Sequence, residues 1–424
     1  MEHEWQVEVR RRNMHILMLA QFYPPIIGGE ERHVRNLSIE LARRGHQVAV
    51  VTLHGEGSPE LEEDCGVRIY RVRGSMQRVK MLFSEEGRTH APPFPDPEVL
   101  WSLRRIILRE KPDVVHAHNW MVHSFLPLRR WSRAKLVVTL HDFSLICASK
   151  LLMYQKELCS GPALSKCLSC VSDKYGVTKG IPTLVAHAVG GRLERNVVDM
   201  FLPASQAVAE GTQLIGSGLP YRIVSNFVAD RIETLDDTEH TENEAHVLLK
   251  ELPQEEFMLF VGDVMRVKGV EVLFQAYAGL EERMPLVVIG RPVNDFAVGY
   301  PANVRVLQSW PHKAVMSAWK RSSIALVPSI CRDSSPTVAM EAMYMGKPVI
   351  ASCIGGLPDI VADGETGILV QPGNPLALRE AMHTLIHNAV LRQHMGIRAK
   401  QRVTEFQATK VVSRIEAIYR ELVY

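Results

Sequence analysis

Short apolar runs alternate with longer stretches of helical periodicity along most of the chain. Runs of this length are typical of buried strands, and apolar residues at three- and four-residue spacing predict amphipathic helices between them. The predicted strands are residues 14–20, 46–52, 67–72, 112–118, 135–140, 201–205, 223–226, 257–262, 286–289, 304–307, 324–327, 347–350 and 368–370. Strands that alternate with helices form parallel sheets, so the pattern predicts an α/β protein that binds ligands at the carboxyl ends of its strands.

An acid-rich stretch, residues 229–256, separates two such series of strands and helices. We therefore predict a first domain over residues 1–228 and a second over residues 229–405. Residues 406–424 form an amphipathic helix with Val411, Ile415 and Ile418 on one stripe. This helix either crosses back to the first domain or packs on the second, and both arrangements fit the sequence.

The second domain contains a strand, a polar loop and an apolar helix that we predict over residues 337–345. Ser335 is a good helix N-cap, and Pro336 suits a first helical position. Glu341 lies inside the helix, where a buried charge needs a bonding partner. Free N–H groups at the helix start favour phosphate, and the Glu341 carboxylate can accept two hydrogen bonds from the diol of a ribose.

A second carboxylate, Asp333, lies in the loop eight positions before Glu341, and a Gly355-Gly356 turn follows the next strand. Glycine lets backbone approach a ligand closely. The segment thus offers binding groups for a phosphate, for a ribose and for a further hydroxylated group. Together these indicate a nucleotide sugar as the ligand.

This segment resembles the signature of the family-4 glycosyltransferases of GT-B fold. That signature has two acids separated by seven residues, followed by a Pro-Val-Ile strand and a Gly-Gly turn; here Asp333 replaces a first acid that is usually Glu. The resemblance extends over residues 14–405. It implies two Rossmann-like, doubly wound parallel-sheet domains that face a cleft, with the acceptor bound by the first and the nucleotide sugar by the second. It also implies transfer with retention and without a metal.

The loop and helix around Asp333 and Glu341, together with the resemblance, indicate the candidate site residues. The candidate catalytic residues are His118, Asp333 and Glu341. The candidate donor-binding residues are Gly28, Gly29, Gly262, Arg266, Lys268, Trp310, Ser335, Thr337, Val338 and Glu341. On the acceptor side we expect His118, His141 and Asp142.

A second departure from the family concerns the diphosphate. Relatives usually have Arg where this chain has Asp263, although Lys268 matches. An acid would repel a diphosphate, so we expect that Asp263 points away or that Arg266 supplies the missing charge.

Four cysteines, Cys147, Cys159, Cys167 and Cys170, fall within 24 residues, and the last two form C-x-x-C. Four close thiols predict a candidate structural zinc site; a redox pair and ordinary thiols are the alternatives. For catalysis we expect no cofactor.

Composition narrows the class of protein. The chain has 424 residues, 46% hydrophobic and 23% charged, with a formal net charge of +2, which are values of a globular protein without a nucleic-acid partner. Its charged first residues lack the apolar core of a signal peptide, so we expect the cytoplasm and reduced cysteines. Basic residues at 71–78 and 128–135 favour peripheral contact with anionic lipid at the inner face of the cytoplasmic membrane. Oligomeric state has no signal in the sequence.

The predicted function is transfer of a sugar from a UDP or GDP sugar to a glycan, a lipid-linked or a small-molecule acceptor, as in polysaccharide biosynthesis. Because Asp333 and Asp263 replace two family residues, the alternative is a nucleotide-sugar-binding subunit of a glycosylation complex with little or no activity. An epimerase would instead release free product from the nucleotide sugar. A phosphorylase would need a pyridoxal lysine, for which the sequence offers no candidate.

Overall fold

A computed structural model describes residues 13–26, 28–78, 90–155, 157–232, 234, 247–293, 299–301 and 303–424. Residues 233 and 235–246 of the acid-rich stretch lie outside these residues, and they include Asp236, Asp237, Glu239, Glu242 and Glu244.

The strands form two large sheets and one hairpin. They are β1 His15–Ala20, β2 Gln47–Leu53, β3 Leu61–Asp64, β4 Val67–Val72, β5 Val114–His118, β6 Lys135–Leu140, β7 Met153–Tyr154, β8 Glu157–Leu158, β9 Met200–Pro203, β10 Met258–Val261, β11 Leu286–Ile289, β12 Val304–Leu307, β13 Ile324–Val327, β14 Val349–Ser352 and β15 Gly367–Val370.

Helices connect most of the strands. The α-helices are α1 Gly29–Arg43, α2 Pro97–Glu110, α3 Val122–Phe125, α4 Leu164–Tyr175, α5 Val177–Val197, α6 Gln206–Gly211, α7 Val270–Ala278, α8 His312–Arg321, α9 Thr337–Tyr344, α10 Leu357–Ile360, α11 Pro375–His387, α12 Ala389–Arg402 and α13 Ala408–Val423. Single 3-10 turns lie at Ser75–Arg78, Leu126–Leu128, Arg266–Lys268 and Val403–Phe406.

Both large sheets have the strand order of doubly wound folds. The first has the order β3-β4-β2-β1-β5-β6-β9 and the second β12-β11-β10-β13-β14-β15. The described pairs run parallel, except that β3 is antiparallel to β4. The predicted α/β class with two parallel sheets is confirmed.

The central strands β10, β11 and β13 of the second sheet are buried on both faces, which explains why they are continuous apolar runs. Alternate strand residues enter two different core clusters, since successive side chains point to opposite faces of a sheet. Leu259 and Val287 belong to one cluster, and Met258 and Val288 belong to the other.

The chain divides into two compact units. Unit 1 contains the described residues of Met1–Thr139, Val189–Met200 and Glu416–Tyr424. Unit 2 contains those of Leu140–Ala188 and Phe201–Ile415. The linear division at residue 228 stays a prediction.

The structure departs from the predicted strands in two places. Residues 223–226 are not a strand but an extended segment, where Val224 N–H donates to the Pro203 carbonyl at 3.0 Å. Strand β3 was not predicted, because its residues Leu-Glu-Glu-Asp form no apolar run. No helix among the described residues is long and apolar enough to span a membrane.

Candidate functional site

The loop that joins β13 to α9, residues 328–336, is the centre of the candidate site in unit 2. The turn at Arg266–Lys268 packs against it, and the amides of Ile330 and Cys331 donate to the Val267 carbonyl at 3.0 and 3.3 Å. Gly269, which ends this turn, has φ 76°, and a Cβ there would lie 1.8 Å from the Pro328 carbonyl oxygen. Only glycine meets both conditions, so the lysine turn and the loop are held in close contact.

This contact brings together two predicted site residues. Lys268 Nζ lies 2.6 Å from Asp333 Oδ2, which also accepts a hydrogen bond from Ser329 Oγ at 3.2 Å. Burial alone would lower the pKa of Lys268, but the Asp333 carboxylate outweighs burial and the pKa is raised. Lys268 is therefore a firmly charged ammonium.

Helix α9 begins at Thr337 with Pro336 as its N-cap, and no described side chain caps it. The predicted capping by Ser335 is wrong, because Ser335 Oγ instead accepts a hydrogen bond from the Asn226 amide at 3.1 Å. Asn226 Nδ2 also donates to the Ser335 carbonyl at 2.9 Å. Ala339 N–H donates to the Pro336 carbonyl, so the N–H groups of Thr337 and Val338 precede the first hydrogen bond of the helix.

Glu341 is buried in α9, as predicted, and the structure identifies a bonding partner. Its Oε1 lies 2.9 Å from Nε2 of His312, the first residue of α8. Trp310, two residues earlier, is half-buried against the core of unit 2. The segment that follows β12 therefore reaches the same carboxylate.

The Gly355-Gly356 turn supports the loop from another side. Gly355 has φ 61°, and a Cβ there would lie 2.3 Å from the Asp333 carbonyl oxygen. Gly356 N–H donates to that same oxygen at 2.7 Å. In the described structure these glycines thus permit close approach to the Asp333 backbone, whereas the sequence analysis had expected close approach to a ligand.

Gly262, Asp263 and Arg266 lie between the end of β10 and Lys268. Gly262 follows β10 with φ 149°. Asp263 is partly exposed and faces Arg291, whose Nη2 lies 3.4 Å from its Oδ2. Asp263 nevertheless contributes to the raised pKa of Lys268. Arg266 lies at the start of the 3-10 turn, half-buried.

The acceptor-side residues His141 and Asp142 follow β6 in unit 2. Burial lowers the pKa of His141 to about 4, and the smaller effects of Asp142 and Asn226 oppose it. His141 is therefore neutral near pH 7. Asp142 Oδ1 accepts a hydrogen bond from the Ser144 amide at 2.7 Å.

His118 ends β5 in unit 1 and is fully buried. Its ring lies 4.2 Å from that of His116 and 6.0 Å from that of His33, measured between centroids. Gly28 is the N-cap of α1 and Gly29 its first residue. In the same unit Asn119 has φ 101° and donates to Glu30.

Two family models match this chain. "Glycosyl transferases group 1" matches residues 243–402, which contain the loop and α9, and "Glycosyltransferase Family 4" matches residues 27–168. The chain belongs to the family-4 glycosyltransferases.

Similar proteins agree with the family. D-inositol 3-phosphate glycosyltransferase of Corynebacterium diphtheriae is 33% identical over 178 residues, which is 38% of this chain and 42% of that relative. The matched part is thus about two fifths of that protein. Sucrose-phosphate synthase of Thermosynechococcus elongatus has a TM-score of 0.72 at 18% identity, over 96% of this chain and 98% of that one. HepE of Anabaena, solved with UDP-glucose, has a TM-score of 0.64 at 15% identity, over 97% and 99%. These likenesses show a GT-B fold.

In this glycosyltransferase the loop and α9 bring several donor-side predictions into one region. Lys268 and Asp333 touch, and Ser335, Thr337, Val338 and Glu341 follow along the loop and helix. His312 and Ser329, which bond Glu341 and Asp333, were not predicted as site residues. The spacing of Trp310, Pro311 and His312 could have indicated His312, because Pro311 directly precedes a helix.

The four clustered cysteines are free thiols, and three of their sulfurs have other hydrogen-bonding partners. Cys147 Sγ lies 3.1 Å from Ser149 Oγ, and Cys159 Sγ donates to the Gly161 carbonyl at 3.4 Å. Among the described residues these sulfurs do not form a group of three with close ligand atoms. This arrangement does not match a tetrahedral zinc site, and the structural zinc stays a prediction.

Proposed function

We propose that this glycosyltransferase moves a sugar, with retention, from a UDP or GDP sugar to a hydroxyl of a glycan, lipid-linked or small-molecule acceptor. One observation carries the proposal. Lys268 and Asp333 meet at 2.6 Å beside the start of α9, and the buried Glu341 lies one turn further along that helix.

The diphosphate would bind at the helix start. The N–H groups of Thr337 and Val338 precede the helix's own hydrogen bonds, and a helix N-terminus favours an anion. Lys268 supplies a full positive charge. Arg266, in the same turn, is the proposed substitute for the arginine that Asp263 replaces.

The ribose would bind to Glu341. A buried carboxylate that accepts from His312 has further lone pairs for the two hydroxyls of a ribose. The base would then lie near Trp310, and the sugar near Asp333.

Catalysis would rest on the charge that develops as the diphosphate leaves. Lys268 and the amides of α9 are preorganised donors for that charge, and such electrostatic stabilisation is commonly the largest catalytic effect. His118 and His141 are the proposed acceptor-side residues, and this scheme needs no cofactor. Gly28, Gly29, Gly262 and Asp142 remain proposed members of the site.

The relatives support the donor and acceptor classes. HepE was solved with UDP-glucose, which is a nucleotide sugar, and the corynebacterial relative is named for a sugar-like phosphate acceptor. The seven free thiols suit a reducing compartment, and we propose the cytoplasm.

The test is calorimetric binding of UDP, GDP and their sugars, followed by an assay for release of the nucleoside diphosphate. We expect one diphosphate to bind, and the Glu341→Gln variant to bind it roughly ten- to a hundredfold more weakly, because a hydrogen bond to a charged group is lost. Glu282→Gln is the matched control, since Glu282 also bonds a histidine, His387 at 2.9 Å, but on the exposed surface.

The assay separates the proposal from its rivals. Release that depends on an added acceptor supports transfer, whereas a free sugar formed without acceptor would indicate epimerase-like chemistry. Binding without any release would indicate the non-catalytic subunit. A complete lack of binding to every nucleotide would overturn the donor site itself.

A further inference from the structure

Two histidines lie on the exposed side of the last turns of α11. The inward side of this helix packs in the core of unit 2, whereas His383 and His387 are exposed. Residues four positions apart share one face of a helix, and the two imidazole rings lie 4.0 Å apart between centroids, tilted by 32°. Two histidines at this spacing on one helix face are a recurring ligand pair for zinc.

A carboxylate faces the second histidine from another element of unit 2. Glu282 lies in the loop between α7 and β11, and its Oε2 is 2.9 Å from Nε2 of His387. Nδ1 of the same ring donates to the His383 carbonyl at 2.9 Å, because a carbonyl oxygen can only accept. Nδ1 therefore carries a proton, and Nε2 is the nitrogen that can bind a metal ion once its own proton has left.

Hydrogen bonds hold this loop beside α11. Arg379 of α11 donates to two carbonyls in the last turn of α7, at 3.2 and 3.3 Å, and so attaches one helix to the other. Arg283 donates to the Leu280 carbonyl at 3.2 Å and to the last carbonyl of α7 at 3.1 Å. The backbone around Glu282 is therefore fixed, and the carboxylate and the two imidazoles belong to one surface.

The separation of the nitrogen and oxygen atoms suits a small transition-metal ion. Zinc binds imidazole nitrogen and carboxylate oxygen at about 2.0–2.2 Å, so two such ligands of a tetrahedral site are about 3.4 Å apart. Nε2 of His387 and Oε2 of Glu282 thus need to separate by only about half an ångström. His383 has to move further, because among the described residues these three ligand atoms do not all lie within 4.8 Å of one another. Its exposed ring can turn towards the other two by rotation about χ1 and χ2.

The charges around this surface favour a cation. His387 is the last residue of α11, and the carbonyls at the end of a helix carry partial negative charge. Glu281 and Glu282 are both exposed in the adjacent loop. The neighbouring guanidinium groups of Arg283 and Arg379 are directed to backbone carbonyls.

We propose that Glu282, His383 and His387 bind a divalent transition-metal ion such as Zn²⁺. Two imidazoles and one carboxylate select such an ion over Mg²⁺ and Ca²⁺, which prefer oxygen ligands. The ion displaces the proton on Nε2 of His387, which is released to solvent, and joins the end of α11 to the loop before β11.

This metal site is separate from the proposed donor site. The loop of Glu282 lies at the amino end of β11, whereas the loop 328–336 follows the carboxyl end of β13. Both strands run parallel to β10, which lies between them, so the two loops are at opposite ends of one sheet. Either proposal can therefore fail without the other.

Calorimetric titration of the full chain with zinc chloride tests the proposal. The protein is first treated with iodoacetamide, so that its thiols do not contribute. The titration is run at pH 8, because the His383 carbonyl and Glu282 raise the pKa of His387 and protons compete with the metal. His383→Gln and His387→Gln should each weaken zinc binding about tenfold or more, since each removes one of three protein ligands. Glu282→Gln should weaken it roughly threefold or more.

The chain offers a matched control in the next helix, α12. His394 is also an exposed histidine, and His394→Gln should leave zinc binding unchanged. Zinc should raise the melting temperature of the treated wild-type chain but not that of His387→Gln, and magnesium chloride should raise neither. Circular dichroism checks that all variants are folded. Absence of zinc binding after iodoacetamide treatment, or equal binding by the wild type and the variants at Glu282, His383 and His387, would overturn the proposal.

Discussion

Lys268 and Asp333 neutralise each other across 2.6 Å, and His312 bonds Glu341 at 2.9 Å. The proposed phosphate-binding ammonium thus has a protein counter-charge with which a nucleotide sugar would have to compete. A diphosphate competes with Asp333 for the same ammonium, so the carboxylate both holds Lys268 in place and weakens its attraction for phosphate. Binding of the nucleotide and transfer of the sugar therefore make opposite demands on Asp333.

The first prediction concerns this competition. Asp333→Asn should bind a nucleoside diphosphate up to about fivefold more tightly, because a partly exposed ion pair is worth up to about 1 kcal/mol and its loss frees Lys268. Sugar transfer should fall about a hundredfold, since Asp333 is the proposed contact to the sugar. Calorimetry and a diphosphate-release assay measure the two effects. Asp263→Asn, whose pair is with Arg291 at 3.4 Å, should give a smaller gain in binding. Weaker diphosphate binding by Asp333→Asn would contradict the competition.

The second prediction concerns His141 and pH. Burial lowers its pKa to about 4 in the folded protein, against an ordinary value of 6.5. Between these values the unfolded chain binds the proton and the folded chain does not, so the free energy of unfolding falls as the pH falls from about 6.5 towards 4. His141→Gln should reduce this loss, which melting temperatures at several pH values between 4 and 7 would show. His394→Gln, at an exposed histidine, is the control and should retain the wild-type profile.

Sequence alone predicted the kind of environment around single residues better than their partners. Glu341 had to be bonded because it lies in an apolar helix, yet nothing in that helix identifies His312, which is 29 residues away and belongs to another element. The N-cap predicted at Ser335 was wrong for a related reason. A local rule makes it an N-cap, but Asn226, 109 residues earlier, engages its side chain and carbonyl.

Among the elements, the loop 328–336 depends on the two turns that contact it. The Arg266–Lys268 turn and the Gly355-Gly356 turn both bond its backbone, and each uses a glycine where a Cβ would collide with a carbonyl oxygen. Asp333 belongs to this loop, so its position is a property of three segments and not of its own side chain alone.

The third prediction tests this support. Gly355→Ala should destabilise the protein by about 1–2 kcal/mol through its φ of 61° and by roughly 1–3 kcal/mol more through the collision with the Asp333 carbonyl. Because the collision moves the Asp333 loop, diphosphate binding should change as well. Gly373→Ala separates the two causes, since Gly373 has φ 72° but no described atom within 4 Å of its Cβ position. Gly373→Ala should therefore lower the stability only by the amount that the positive φ costs, and diphosphate binding should not change. Equal effects of the two variants in denaturation and calorimetry would show that the turn does not support the loop.

Buried strands were predictable because each is an apolar run enclosed on both faces. Strands β6, β11 and β13 have the predicted bounds. The edge strand β3 was not predicted, because it is acidic and partly exposed. Helix α5 shows the limit of periodicity, because its apolar residues face outward and its glycines and buried glutamate face inward. A stripe on a helix indicates a face that makes contact without saying what it contacts.

At the scale of the whole chain, the compact units do not follow the order of the sequence. The sequence predicts consecutive domains, whereas the compact unit 1 combines three separate segments, including the last nine residues, Glu416–Tyr424. The composition of the last helix cannot show that its final residues belong to unit 1, since its apolar stripe could pack in the core of either unit. Glu416 and Tyr419 bond other residues of unit 1, so the contribution of these last residues to its stability can be tested.

The final prediction removes that segment. Tyr419 is fully buried, and its hydroxyl lies 2.5 Å from Nδ1 of His116. Glu416 lies 3.3 Å from both Nη1 of Arg44 and Nε2 of His46. A chain ending at Ile415 loses these bonds and the buried Ile418, so unit 1 should be destabilised by roughly 3–5 kcal/mol or more, the range for deleting a large buried side chain.

Thermal unfolding, with a chain that ends at Leu422 as control, measures this loss. The control lacks only Val423 and the mostly exposed Tyr424 and should melt as the full chain does. Tyr419→Phe keeps the buried ring and removes only the hydroxyl, so it should cost about 1–3 kcal/mol through the lost bond to His116. His116 is part of β5, the strand that ends at His118. If the two truncations unfold at the same temperature, the bonds of Glu416 and Tyr419 do not stabilise unit 1.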